Sequence, residues 1–277
     1  MSRMMGNCQV RFLGEEDTAT CASLPAINHK ALLDKINTYP RLRKQIKSWL
    51  KSGVLDQGEI FPTIEGTPQG GVISPLLANI ARHGMEERVK QFVGNSINQR
   101  KEISLIRYTD DFVIIHKSIE VIIASQKIIT DWLSDFGLEL KPSKTKLTHT
   151  LNEYNGNVGF EFLGFHVQQH KVGNYRSAKN TKGISLGFNT LITPSKQKIK
   201  AHLVVKIEEV IDTHNTAPQY ALISRLNPII RGGSNYYSTV VSKETFNKSD
   251  SLTSDKLRAW ARRRGKGNTI KTNTGEK

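Results

Sequence analysis

The chain has 277 residues, 37% of them hydrophobic, which is material for one large domain or two modest ones with a core. No apolar run approaches the ~20 residues of a membrane helix, and Met1-Ser2-Arg3-Met4-Met5-Gly6 lacks the apolar stretch of a signal peptide. Net charge is +15 and unevenly spread: residues 1–170 hold 20 Lys and Arg against 18 Asp and Glu, whereas residues 171–277 hold 20 against 7. Such asymmetry points to a polyanion, RNA or DNA before a membrane surface, as partner of the C-terminal third. The two cysteines, Cys8 and Cys21, have neither metal-site spacing nor a disulfide framework around them, which fits a reducing cytoplasm.

In chain order, residues 1–23 show no clear periodicity and are expected to be poorly ordered. A helical pattern runs from Asn28 to Ser52 through Ala31, Leu32, Ile36, Ile46 and Leu50. Pro40 divides it into two helices, and Gly53 stops the second. Glu65 to Gly71 forms a loop, and Ser74-Pro75 starts a helix reaching about Val89, serine as cap and proline in the first helical position. Ile103–Ile106 and Phe112–Ile115 read as the strands of a hairpin. A helix follows from about Ile119 to Phe136, ended by Gly137, and Phe160–Val167 alternates as one strand. Residues 168–195 are polar and glycine-bearing, the expected boundary between domains. Helices are expected over roughly Ser195–Thr213 and near Gln219–Arg225, with a frayed tail from Gly265.

Chemistry concentrates at Tyr108-Thr109-Asp110-Asp111, two neighbouring carboxylates on the turn of that hairpin. Burying such a pair without a partner is costly, because each charge raises the pKa of the other. A divalent cation removes the conflict, and Mg²⁺ favours a few carboxylate oxygens plus water and substrate phosphate. The alternative is an ordinary solvated Asp-Asp turn.

Several segments together carry a family resemblance. Gly66-Thr67-Pro68-Gln69-Gly70-Gly71-Val72-Ile73-Ser74-Pro75-Leu76-Leu77-Ala78-Asn79-Ile80 resembles the Pro-Gln-Gly motif of reverse transcriptases, in the version of bacterial group II intron-encoded proteins. Tyr108-Thr109-Asp110-Asp111 resembles their Tyr-x-Asp-Asp box, and Gly137–Lys146 and Phe162-Leu163-Gly164-Phe165 the two segments that follow it. Leu226–Tyr237 and Trp260–Arg264 resemble the maturase region, domain X, of the same proteins.

The resemblance implies an α/β (α+β) fold: a partial right-hand polymerase palm over 25–170 with an antiparallel catalytic hairpin, then a helical thumb and maturase domain X over 171–264 and a basic tail over 265–277. It implies Asp110 as direct Mg²⁺ ligand with Asp111 as second ligand or electrostatic support, in nucleotide addition where two metal ions clamp the attacking hydroxyl and the leaving pyrophosphate. Tyr108 would shape the primer-end pocket, or simply pack under the sheet. Gln69 and Gly70 would meet nucleotide or template, or form a plain turn, and Lys144 would face the triphosphate or only solvent. Arg231, Asn235, Tyr236 and Tyr237 offer stacking and guanidinium groups for unpaired RNA, the tyrosines alternatively packing in a core, and Arg262, Arg263 and Arg264 suit phosphate.

The N-terminus departs from the family. Ile27-Asn28-His29 resembles the end of the first palm motif, whose catalytic aspartate lies ten residues before the histidine and a second Asp four before it; here these positions hold Ala19 and Pro25. Residues 1–24 do not resemble the fingers that precede that motif, and the chain reads as N-terminally truncated. Three functions compete: RNA-directed DNA polymerase using intron RNA as template with DNA primer and dNTP, a non-catalytic RNA-splicing cofactor that binds intron RNA, and an inactive decayed fragment of a mobile element.

Overall fold

The computed structural model describes residues 6–11, 27–56, 59–61, 73–94, 96–108, 111–140, 142 and 145–269, with the backbone alone at 6–11, 54–56, 59–61, 174, 201, 202 and 265–269. The chain divides into two compact units, Met1–Phe162 and Leu163–Lys277.

Unit 1 begins with β1 (Gly6–Arg11), which corrects the expectation of disorder for that stretch; the rest of 1–24 lies outside the described residues. Asn7-Cys8-Gln9-Val10-Arg11 has little strand propensity of its own, and the strand is held from both sides by non-local pairing. Two helices follow, α1 (His29–Ile36) and α2 (Pro40–Leu50). Asn28 caps α1, its Oδ1 accepting from the amides of Lys30 and Ala31 at 2.9 and 3.1 Å. Pro40 opens α2 after an extended Tyr39, and Gly53 (φ 79°) turns the chain away from its end. A short hairpin, β2 (Val54–Asp56) with β3 (Glu59–Phe61), precedes α3 (Ser74–Arg82) and α4 (Met85–Val93). One helix to Val89 was expected there; Gly84, at φ 92°, breaks it into two.

After α5 (Ile97–Glu102) come β4 (Ser104–Tyr108), β5 (Asp111–His116), the long α6 (Ile119–Ser134) and β6 (Lys146–His149). The sheet has the order β4-β5-β1-β6 with antiparallel pairing throughout. Period-two alternation sorts its two faces. Phe112 and Ile114 pack into the core with Leu32, Leu33, Leu50, Leu77, Met85, Ile122, Ile129 and Leu133 of the helices. Asp111, Val113 and Ile115 belong to the other face, and register puts Tyr108, Ile106 and Ser104 of β4 beside them. The ammonium of Lys35 ties α1, α3 and α6 together: it donates to the carbonyls of Ala81 (2.9 Å) and His83 (2.6 Å) and lies 4.4 and 4.5 Å from the Trp132 and Phe136 rings. Its pKa is pushed down to about 8, by burial and then by the charge of Arg107.

The expected single strand at 160–167 is two, β7 (Phe160–Phe162) and β8 (Phe165–Lys171), because Leu163 (φ 51°) and Gly164 (φ 78°) make a turn between them. The polar stretch expected to be a boundary is a hairpin instead, β8 paired antiparallel with β9 (Phe188–Pro194) from Phe165↔Pro194 to Lys171↔Phe188. Its polarity belongs to half-buried strands and to the exposed segment that joins them, not to a linker. Ser195 then caps a helical run of α7 (Lys196–Ile199), a π segment (Lys200–Val204) and α8 (Val205–Thr213). α9 (Gln219–Tyr237) is much longer than expected and carries Pro228 in its interior; α10 (Lys243–Thr269) runs past the expected end at Gly265. Ile199, Leu203, Ile207 and Ile211, four apart, meet Leu222 and Leu226 of α9 and Trp260 of α10 in a second core. Gly233 permits the contact: a Cβ there would stand 2.8 Å from Leu203 Cδ1.

Candidate functional site

The acidic box lies where the hairpin was expected, between β4 and β5, with Tyr108 paired to Asp111 in register. Thr109 and Asp110 are outside the described residues. A two-residue connection resets the strand alternation, so Asp111 falls on the face of Tyr108. Tyr108 is 59% exposed, which rules out packing under the sheet and leaves its ring open on the side away from the helices. On the other flank of Asp111 the register position is held by Arg11 of β1. Gln69, Gly70 and Lys144 also lie outside the described residues.

Mg²⁺ needs converging oxygen ligands. Among the described residues no group of three His, Cys, Asp or Glu side chains is placed to hold a metal ion. Asp111 has a phenol position on one side and a cation position on the other. Asp111 is the one carboxylate of the acidic box among the described residues.

In unit 2 the residues singled out for RNA separate into two groups. Arg231 and Asn235 are exposed on α9, and Arg262 on α10. Tyr236 is half exposed: its hydroxyl donates to the Leu163 carbonyl at 2.7 Å, and its ring stacks on Phe165 at 5.1 Å and 23°. Tyr237 is only 8% exposed, edge-on to Phe165 (5.4 Å, 70°) and to Tyr236 (4.9 Å, 89°). Burial, then the neighbouring Tyr236, raises its pKa. The expectation that Tyr237 stacks on RNA is therefore corrected; its faces are already spent on neighbours. Sequence reading missed the anchor, Phe165 with Gly164, although the glycine between aromatics in Phe162-Leu163-Gly164-Phe165 was its signal: a Cβ at Gly164 would lie 3.2 Å from Tyr237 Oη.

The terminal arginines divide as well. Arg264 donates to the Ala217 carbonyl with its guanidinium 4.8 Å from the Trp260 ring centroid, and Trp260 Nε1 donates to the His214 carbonyl at 3.0 Å. Arg263 lies 3.8 Å from Asp212, and Lys256 3.2 Å from Glu208. These contacts clamp α10 along α8, so Arg264 and Arg263 have internal partners.

Two family matches cover most of the described chain: the reverse transcriptase (RNA-dependent DNA polymerase) family over residues 26–167 and the group II intron maturase-specific domain over residues 200–275. The chain belongs to the group II intron-encoded reverse transcriptase/maturase family. Similar proteins include the group II intron-encoded protein LtrA of Lactococcus lactis subsp. cremoris, 24% identical over 71% of this chain and 41% of LtrA. An uncharacterized 91 kDa protein in the cob intron of Schizosaccharomyces pombe is 25% identical over 84% of this chain and 35% of its own length. Protein YkfC of Escherichia coli (strain K12) is 28% identical over 57% and 47%. This reverse transcriptase/maturase chain thus spans about two fifths of the length of LtrA. A telomerase from Candida albicans, in a complex with a fragment of telomeric RNA, aligns over 92% of this chain and 45% of its own at 11% identity and a TM-score of 0.46. The palm-like α/β fold with a helical C-terminal part agrees with the sequence expectation. Among the described residues no helix is long and apolar enough to cross a membrane.

Proposed function

We propose that this chain works as an RNA-binding maturase in the cytoplasm, holding group II intron RNA through unit 2, and that its palm adds nucleotides poorly or not at all by itself. The observation that carries the RNA reading is the charge of the C-terminal part, 20 Lys and Arg against 7 Asp and Glu over 171–277, within a region matched by the maturase-specific domain. Exposed Arg231 and Arg262 are its candidate phosphate contacts, with Asn235 and the half-exposed Tyr236 near Arg231 on α9. Intron RNA binding should weaken linearly in log–log form with salt, about 0.7–0.9 per phosphate neutralised. Affinity that ignores salt would sink this reading.

RNA-directed DNA synthesis, with RNA template, DNA primer, dNTP and Mg²⁺, is the second reading, supported by the β4–β5 hairpin and the family match. Against it stand Ala19 and Pro25 at the positions of the family's aspartates and Arg11 at the register position beside Asp111. Loss of a catalytic metal ligand costs orders of magnitude in rate. Primer extension on an RNA template should give no incorporation above an Asp110→Ala control; incorporation above that background restores the polymerase reading.

A further inference from the structure

The β8–β9 hairpin does not end in a simple turn. Between Lys171 and Phe188 the chain makes an ordered excursion that folds on itself. Val172 N donates to Gly187 O (3.1 Å), Ala178 N to Phe188 O (3.0 Å) and Leu186 N to Ala178 O (2.9 Å). At its far end Asn180 Oδ1 accepts from the amides of Lys182 and Ile184, both at 2.9 Å, and Ser177 Oγ accepts from Gly187 N at 2.7 Å. Such an arm keeps its shape without a core beneath it.

What it displays is unusual. Tyr175, on a 3₁₀ turn over Asn174–Arg176, is fully exposed, and Ile184 is 60% exposed. Lys171, Arg176, Lys179 and Lys182 are all exposed. From Phe165 to Pro194 the sequence contains Lys171, Arg176, Lys179 and Lys182 and no Asp or Glu, so this hairpin carries positive charge with no acidic residue of its own to offset it. An aromatic ring held out on an ordered turn among cations is the combination that binds an unpaired nucleic-acid strand: the ring stacks on any base and the cations follow the phosphates. A duplex hides its base faces, and a basic protein surface would be repelled by these cations.

We propose that the 172–187 arm is a contact site for an unpaired RNA strand, with Tyr175 as the base-stacking residue and Arg176, Lys179 and Lys182 as its phosphate contacts. The inference rests on the RNA-binding reading of the chain and adds a site outside the maturase-specific match, which begins at residue 200.

The test uses the full chain, a labelled single-stranded oligouridylate and an RNA duplex, in fluorescence anisotropy. Tyr175→Ala should weaken oligouridylate binding about 5- to 100-fold, with Tyr175→Phe close to wild type and duplex binding unchanged. Arg176→Glu/Lys179→Glu/Lys182→Glu should lower the salt slope on the single strand by about 2. Because the substituted side chains are exposed, thermal unfolding should be unchanged, which separates lost contacts from lost fold. A wild-type chain that binds neither RNA overturns this inference together with the RNA-binding reading. Wild-type binding that Tyr175→Ala and the triple charge reversal leave intact overturns the arm alone.

Discussion

Tyr237 tests whether the paired tyrosines of the maturase signature read RNA or hold the fold. Replacing Tyr237 by Ala removes a ring that is 8% exposed and packed edge-on against Phe165 and Tyr236. Truncating a buried aromatic costs about 3–5 kcal/mol, part of it the two ring–ring contacts at about 0.5–1.5 kcal/mol each. The expected loss is about 4 kcal/mol in unit 2, a large share of the total stability of an ordinary domain. A residue that only stacks on a base would instead lose about 1–3 kcal/mol of binding and no stability. Hydrogen exchange resolved by segment is the assay: protection in α9 and in β8 should collapse together in Tyr237→Ala. Tyr237→Phe should keep both protection and RNA affinity at neutral pH. The raised pKa gives an independent arm with a defined sign. Below the unfolded value near 10 the hydroxyl is protonated in both states; above it the unfolded chain ionises first, so stability falls as pH rises through the folded pKa. Tyr237→Phe should remove that alkaline loss. Full stability of Tyr237→Ala combined with lost RNA affinity would refute the core assignment.

Gly233→Val should cost about 2 kcal/mol: a Cβ standing 2.8 Å from Leu203 clashes by more than the roughly 0.4 kcal/mol of helix propensity gained, and Leu203→Ala in the same chain should recover part of the loss in thermal unfolding. Trp260→Phe should cost about 1–2 kcal/mol by leaving the His214 carbonyl without its indole donor, seen as faster exchange in α10. His149 sits buried with Nδ1 accepting from the amides of Leu151 and Asn152 at 3.0 Å, and burial lowers its pKa. Its stabilising contribution is present above the unfolded value near 6.5 and lost as pH falls towards the folded pKa, so His149→Asn should flatten the acid limb of the stability curve.

Elements whose identity is local were legible in the sequence. Asn28 and Pro40 mark helix starts by capping and by a fixed φ, and Gly53 and Gly137 mark stops through positive φ. The β-branched and aromatic runs either side of the acidic box made the β4–β5 hairpin readable, because strand propensity and a tight turn coincide there. β1 was not readable: its six residues gain their hydrogen bonds from β5 and β6, about a hundred residues or more away in sequence. The expected helix near Gln219–Arg225 is only the start of α9: the helix continues through Pro228, a residue that usually breaks one, because Leu222 and Leu226 before it and Tyr237 after it sit in the unit 2 core.

The sequence by itself determined the family, through ordered motifs, and the direction of its electrostatics, through the excess of Lys and Arg after residue 170. Both are properties of composition and order, which need no third dimension. Only the tertiary structure decided which chemically similar side chains stay open to a partner. It buried Tyr237 while leaving Tyr175 exposed, and set Arg264 over Trp260 while leaving Arg262 on the surface. It also placed Arg11 at the register position beside Asp111. The physical reason is that a ring or a guanidinium binds whatever reaches it first, and folding brings the chain's own groups there before any RNA.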